Sequence, residues 1–459
     1  MTIASTEGGA TSRSAASDGP ASGALASSTW STGTWSTGST RARAYPPPGP
    51  APDRPARATP LRSEGPLGPL ASRREMAVHN PGEAPSRRPA APLRLAIDAT
   101  PLLGARTGIG RFAARLIEGL AAETDVAISA YAVTWRGRGT LASLLPPGVR
   151  HNRRPMPARI LHRMWQHRAG PAIEWWTGAV DVVHGTNYVV PPARRAQRVV
   201  SVHDLTTVHF PEMCTPHTRS FPALVARAIA EGAWVHTDAD FVRDEVIEHF
   251  GAPAARVVTV PLGFDPMPTA APADGHRLAG GDRYIVAVGT VEPRKGYPGL
   301  VRAFDRLATR DATLRLAVAG ASGWGTDEFR ASVDAAQHRD RNVHLDALDD
   351  HGRAALIRGA AVLAYPSVYE GFGFPPLEAM SAGVPVVASA AGAVPEVVGD
   401  AAILVPVGED LALAEGLEQA IYDPAVREDL VARGRSRIAN YSWANTTRAS
   451  CRPPPSARG

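Results

Sequence analysis

Two glutamates, Glu370 and Glu378, stand eight positions apart on either side of a glycine-rich stretch, Gly371-Phe372-Gly373-Phe374-Pro375-Pro376. Carboxylates so placed can each accept hydrogen bonds from sugar hydroxyls. They could equally serve as the acid and base of a hydrolase. A surface glutamate followed by one that favours a helix N-terminus gives the same spacing with no chemistry at all. The main-chain N–H groups of Gly371, Phe372, Gly373 and Phe374 lie beside a helix start and suit an anionic or hydroxyl-rich ligand. A second group, Arg294-Lys295-Gly296, pairs a guanidinium fork with a compact ammonium charge, a combination that suits a diphosphate. A solvated basic turn is the plain alternative. His203 sits at the end of an apolar run, where an imidazole can reach a sugar hydroxyl or a leaving group, or simply cap a loop.

These side chains need strands that end together. The run before Tyr365 reads as a buried parallel strand, Leu377 to Ala382 as a helix stopped by Gly383, and Val384 to Ala388 as a further buried strand. Arg294 and Lys295 follow the strand Tyr284–Gly289, and a helix with Leu300, Phe304 and Leu307 lies behind them. His203 follows Arg198–Val202. Near the start of the patterned region, Leu93–Asp98 reads as a strand. The loop Gly104-Ala105-Arg106-Thr107-Gly108-Ile109-Gly110 follows, then a helix from Arg111 with Phe112, Leu116 and Leu120 on one face. The loop fits neither a Walker motif nor a dinucleotide fingerprint. Alternating strands and helices of this kind build open α/β sheets, which bind ligands where the strands end.

The stretch from Glu370 to Ser389 resembles the paired-glutamate motif of retaining glycosyltransferases of family 4. His184-Gly185-Thr186-Asn187-Tyr188, Val202-His203-Asp204-Leu205-Thr206 and the Gly320 to Gly325 segment are similar to the subgroup that contains bacterial polysaccharide mannosyltransferases. The resemblance covers about residues 93–443. It implies an α/β protein of the GT-B fold: two doubly wound Rossmann-like domains facing across a cleft. It further implies transfer of a hexose from a nucleotide diphosphate sugar, mannose from GDP-mannose in this subgroup, to a glycan or polyprenol-linked acceptor. In that scheme Arg294 and Lys295 hold the diphosphate and Glu378 the ribose. Glu370 and the Gly371–Phe374 amides hold the sugar, His203 contacts it from the other domain, and the Gly108/Gly110 loop approaches the donor phosphates. No cofactor and no metal site are implied, since the two cations neutralise the leaving group. A sugar-nucleotide epimerase, a phosphorylase on the same fold and a catalytically silent sugar-binding protein remain alternatives.

The chain has 459 residues and a net charge of +5. Residues 1–92 hold ten Arg against six acids, so most of the excess lies there and the body is nearly neutral, which argues against nucleic acid as a partner. This segment is rich in Ala, Ser, Gly, Pro and Arg and is expected to be disordered. It reads as a non-essential extension, with Met76 as an alternative start, or as a tether to acidic lipid. Two cysteines, Cys214 and Cys451, make no disulfide framework or metal cluster. No apolar run approaches the ~18 residues of a membrane span, and no signal-peptide core is present. The expected location is cytoplasmic, with peripheral contact at the inner face of the membrane. The domains are expected at 93–265 and 282–443, joined by a Pro/Ala-rich linker at 266–281. Ala239 and Val242 stand where relatives carry serines, which leaves Asp238 or Asp240 to cap the next helix. Residues 444–459 lack an apolar stripe and end in Pro453-Pro454-Pro455, so the helix that crosses back onto the first domain is expected to be missing.

Overall fold

The computed structural model describes residues 91–104, 108–135, 137–167 and 170–451. The basic extension and its tether or start-site readings lie outside these residues. Seven parallel strands form the first sheet: β1 Leu93–Asp98, β2 Val126–Tyr131, β3 Arg150–His151, β4 Val182–Gly185, β5 Gln197–Val202, β6 Trp234–Thr237 and β7 Val257–Thr259. Their order is β3-β2-β1-β4-β5-β6-β7. A second, six-stranded parallel sheet comprises β8 Tyr284–Val288, β9 Arg315–Ala319, β10 Asn342–Leu345, β11 Val362–Tyr365, β12 Val386–Ser389 and β13 Ile403–Val405, in the order β10-β9-β8-β11-β12-β13. Each sheet therefore reverses its winding once, between β1 and β4 and between β8 and β11. A crevice opens at such a point because the connections on its two sides leave in opposite directions.

Helices cover both faces, so the central strands of the second sheet are almost wholly apolar. Every residue of β8, β11 and β12 is buried. The helices that bear on the site are α1 Gly108–Ala121, α2 Ala158–His167, α3 Phe221–Ala230, α4 Asp240–Phe250, α5 Pro272–Ala279, α6 Tyr297–Ala308, α7 Asp350–Arg358, α8 Phe374–Ala382 and α9 Trp443–Cys451. α1 buries Phe112, Leu116, Ile117 and Leu120 on one stripe, each worth about 1.5–3 kcal/mol of transfer free energy. It begins at Gly108 rather than at Arg111, which puts Gly108 and Gly110 in its first turn.

Two expectations fail. Residues 272–279 are not linker but α5, which packs on α7. The small face of α5 permits this: a Cβ on Gly275 would come 2.2 Å from the Ala355 carbonyl oxygen, and Ala279 is fully buried. The crossing helix is also present, as α9, and lies against α1. It has no aliphatic stripe because it does not use one. Thr446 and Thr447 are buried, and the Thr446 hydroxyl donates to the Pro261 carbonyl at 2.8 Å. Gly119 of α1 leaves the space that Thr447 fills, since a Cβ there would meet the Thr447 hydroxyl at 2.2 Å. Trp443 lies on Gly263 in the same way. A threonine with its hydroxyl satisfied presents a methyl to its neighbour, which hydrophobic periodicity does not count. Pro453 to Pro455 lie outside the described residues.

Candidate active site

β8 and β11 are neighbours, so the turns that follow them meet. The turn Pro293–Lys295 ends at Gly296, whose φ of +67° lets its backbone press on the Pro366 carbonyl. This brings Lys295 and Arg294 onto Glu370. Lys295 Nζ lies 2.6 Å from Glu370 Oε1, and Arg294 Nη1 lies 2.8 Å from Oε2. Arg294 also donates to the Tyr369 carbonyl and to Glu292 Oε1, each at 2.7 Å, and Lys295 sits over the Tyr365 ring. Burial alone would raise the pKa of Glu370, but the charges of Lys295 and Arg294 outweigh it and hold the carboxyl at about 2. The sequence reading left Arg294 and Lys295 free for a diphosphate. Here both cations rest on Glu370, and Glu292 completes a locally neutral cluster. The Tyr365 and Ser367 hydroxyls also lie against the Glu370 carboxylate.

Glu378 is the fifth residue of α8, deeper in the helix than its first turn, and is 1% exposed. Its Oε1 accepts from Arg111 Nη1 at 3.1 Å and forms an ion pair with Arg353, whose Nη1 lies 2.9 Å away. Oε2 is buried and has no partner among the described residues. An unbonded buried carboxylate oxygen is costly, so this atom calls for a donor from outside the protein. Arg111 comes from α1 of the first domain and lies over the Phe374 ring, 5.7 Å from its centroid. A Cβ on Gly108 would be 3.1 Å from the same ring. Gly108, at the end of the first glycine loop, therefore meets Phe374 of the second. Sequence reasoning missed both arginines. Arg111 adjoins the glycine loop, which was a usable signal, whereas Arg353 carries none.

His203 is buried with both ring nitrogens occupied. Nδ1 is 2.7 Å from Asp238 Oδ2, and Nε2 is 2.8 Å from the Thr186 carbonyl. Burial works against the imidazolium, but the Asp238 charge and these hydrogen bonds raise its pKa overall. A charged ring donates at both positions. His203 thus has no nitrogen spare for a sugar in this structure, contrary to the expected contact. Its backbone still reaches the site: a Cβ on Gly371 would lie 1.9 Å from the His203 carbonyl oxygen. Gly373, with φ +114°, turns the chain into α8. No acceptor among the described residues takes the Gly371, Phe372 or Gly373 amides.

Two further residues bind the domains together. The Tyr369 hydroxyl accepts from the Leu205 amide at 2.7 Å and donates to Glu245 Oε2 of α4 at 2.6 Å. Glu396 accepts from the Asp240 and Phe241 amides at 2.9 and 3.0 Å. Neither Asp238 nor Asp240 caps α4, as the sequence suggested. A carboxylate from the opposite domain does so. Among the described residues, no group of three or more His, Cys, Asp or Glu is placed to hold a metal ion.

Residues 273–437 match the family model described as "Glycosyl transferases group 1", and residues 106–267 match "Glycosyltransferase Family 4". Over 277 residues the chain is 33% identical to the O-antigen chain mannosyltransferase B of Escherichia coli, spanning 58% of this chain and 72% of that protein. The chain belongs to glycosyltransferase family 4. Solved structures similar to this glycosyltransferase include the sucrose-phosphate synthase of Thermosynechococcus elongatus (TM-score 0.61, 19% identity, 78% of this chain and 97% of that one). Another is the Anabaena protein HepE in complex with UDP-glucose (TM-score 0.58, 17% identity, 78% and 98%). At such identities the likeness carries the fold, and it agrees with the expected GT-B arrangement of two doubly wound domains. No described helix of the glycosyltransferase is long and apolar enough to cross a membrane.

Proposed function

We propose that this glycosyltransferase moves mannose from GDP-mannose to a glycan or lipid-linked acceptor, with retention at the anomeric carbon. The observation that carries the nucleotide-sugar reading is the unpartnered, buried Oε2 of Glu378. A ribose hydroxyl supplies the donor this atom lacks, while Arg111 and Arg353 hold Oε1. At the other end of the loop, Lys295 and Arg294 are the cations for the leaving diphosphate, whose negative charge grows as the sugar becomes oxocarbenium-like. Glu370, already on those cations, meets the sugar hydroxyls, with the free amides of Gly371 to Gly373 beside it. In this reading neither a cofactor nor a divalent cation takes part. The work is done in the cytoplasm, at the inner face of the membrane when the acceptor is lipid-linked. Support for mannose comes from the name of the Escherichia coli relative, and support for a nucleotide sugar from the Anabaena neighbour.

The test is incubation with labelled GDP-mannose, UDP-glucose and UDP-N-acetylglucosamine in the presence of oligosaccharide and lipid-linked acceptors. Label should pass fastest from GDP-mannose and give a product with the donor's anomeric configuration. An inverted product refutes retention. Isomerised donor refutes transfer in favour of an epimerase, and binding without turnover refutes it in favour of a silent sugar-binding protein.

A further inference from the structure

Away from the glutamate loop, the first domain has a groove of about 630 Å³ between α2 and the turn that leads into α3. Arg159, Arg163 and His167 line one wall, at i, i+4 and i+8 of α2, and His217 stands opposite. Thr215 and Ser220 also line it, their hydroxyls bonded to Thr218 and to the His217 carbonyl, and no acid lines the groove. Neither arginine forms an ion pair with a carboxylate among the described residues. Like charges at i, i+4 cost a helix about 0.2–0.5 kcal/mol per pair, and here no acid relieves them. At the base of the groove His162 is 7% exposed, and its Nδ1 has no partner among the described residues. The His162 and His217 rings are stacked, with centroids 4.9 Å apart and planes 14° from parallel. Two positive charges at that distance would repel each other. Burial first, then the neighbouring His217, pushes the pKa of His162 down to about 4.

We propose that this groove is a binding site for a phosphate group, carried either by a soluble molecule or by a lipid headgroup. Two guanidinium groups and two imidazoles supply donors from several directions. That suits a tetrahedral oxyanion better than a planar carboxylate. His162 is then the buried donor: its orphan nitrogen takes a proton when the anion arrives, and the anion offsets the His162–His217 repulsion. The groove stands apart from Glu370 and Glu378, so this inference does not rest on the donor assignment. It does lie on the flank of His203, since Tyr188 stacks on Phe221, which meets His217, and contacts His203 edge-on at 6.0 Å.

The experiment follows the imidazole Cε1–H resonances of His162 and His217 in the full chain by NMR. Inorganic phosphate is titrated with GDP saturating, so that the Arg294–Lys295 cluster is occupied. Both resonances should move and saturate, and the His162 pKa should rise from about 4. In Arg159→Gln/Arg163→Gln, whose altered side chains are exposed and whose melting should match wild type, the affinity should fall at least ~10-fold, as expected for losing charge-assisted donors. Sedimentation with mixed phosphatidylcholine–phosphatidylglycerol vesicles gives the source. Vesicle binding lost in the double variant supports a lipid headgroup, and phosphate binding without vesicle binding supports a soluble phosphate. Resonances that do not move with phosphate, or that move equally in the double variant, overturn the proposal.

Discussion

Glu370 shows most plainly what one residue contributes. It holds two buried cations, so Glu370→Gln removes a counter-charge as well as a sugar contact. Leaving buried charge unpaired costs about 3–5 kcal/mol, and losing a charge-assisted hydrogen bond at the reacting sugar lowers turnover about tenfold to a hundredfold. Chemical denaturation and steady-state kinetics should show both effects, and a variant with unchanged stability and kcat contradicts the assignment. The pH dependence has a definite sign. The folded-state pKa lies near 2, below the ordinary value of 4.5, so the Glu370 contribution is complete above about pH 4.5 and is lost as pH falls through 2. Unfolding free energies of wild type and Glu370→Gln should therefore converge towards pH 2 and differ by a constant amount above pH 4.5. At this scale the sequence was informative where residue types are rare together: a Lys and an Arg after one strand, a Glu after its neighbour. It could not show that the three would meet in one ion-pair cluster, because that depends on β8 and β11 being adjacent. Nor could it find Arg353 or the Asp238 partner of His203, which are ordinary residues until the fold brings them in.

Among the elements, strands were legible and small-residue contacts were not. β8, β11 and all of β12 but its last residue, Ser389, are apolar, the signature of strands buried on both faces. By contrast α5 and α9 pack through Gly275, Ala279, Thr446 and Thr447 against Gly119 and carbonyl groups. A composition argument mistakes such surfaces for linker or tail. The α4 terminus makes the same point about hydrogen bonding. Its missing serine caps looked like a loss, yet Glu396 supplies the acceptor from the second domain. Glu396→Ala should cost about 0.5–2 kcal/mol, the usual value of an N-cap. It should also weaken domain closure, because the cap and the interdomain contact are one interaction. Thermal melts and small-angle scattering together test this. A variant that melts lower without any change in the scattering profile makes Glu396 a cap only.

The two described domains meet across their cleft through Gly371 on the His203 carbonyl, Tyr369 on Glu245, Arg111 on Glu378 and Glu396 on α4. The first contact tolerates no side chain, since the 1.9 Å approach is to backbone. Gly371→Ala should hold the domains apart and lower kcat/KM by about tenfold or more, as misplacement of about 1 Å can do, while each domain stays folded. Scattering with kinetics reads this out, and wild-type values in both contradict the closed arrangement as the active one. Activity should also persist in excess chelator, because Arg294 and Lys295 provide the positive charge at the leaving group. Complete loss, restored by magnesium or manganese, counts against that role. The central claim is that the orphan oxygen of Glu378 receives the ribose, and calorimetry of GDP against 2′,3′-dideoxy-GDP tests it most directly. Wild type should bind the dideoxy compound about tenfold to a hundredfold more weakly, the worth of a hydrogen bond to a charged group, and Glu378→Gln should bind the two nearly alike. Equal affinities in wild type, or an undiminished preference in the variant, contradict the account.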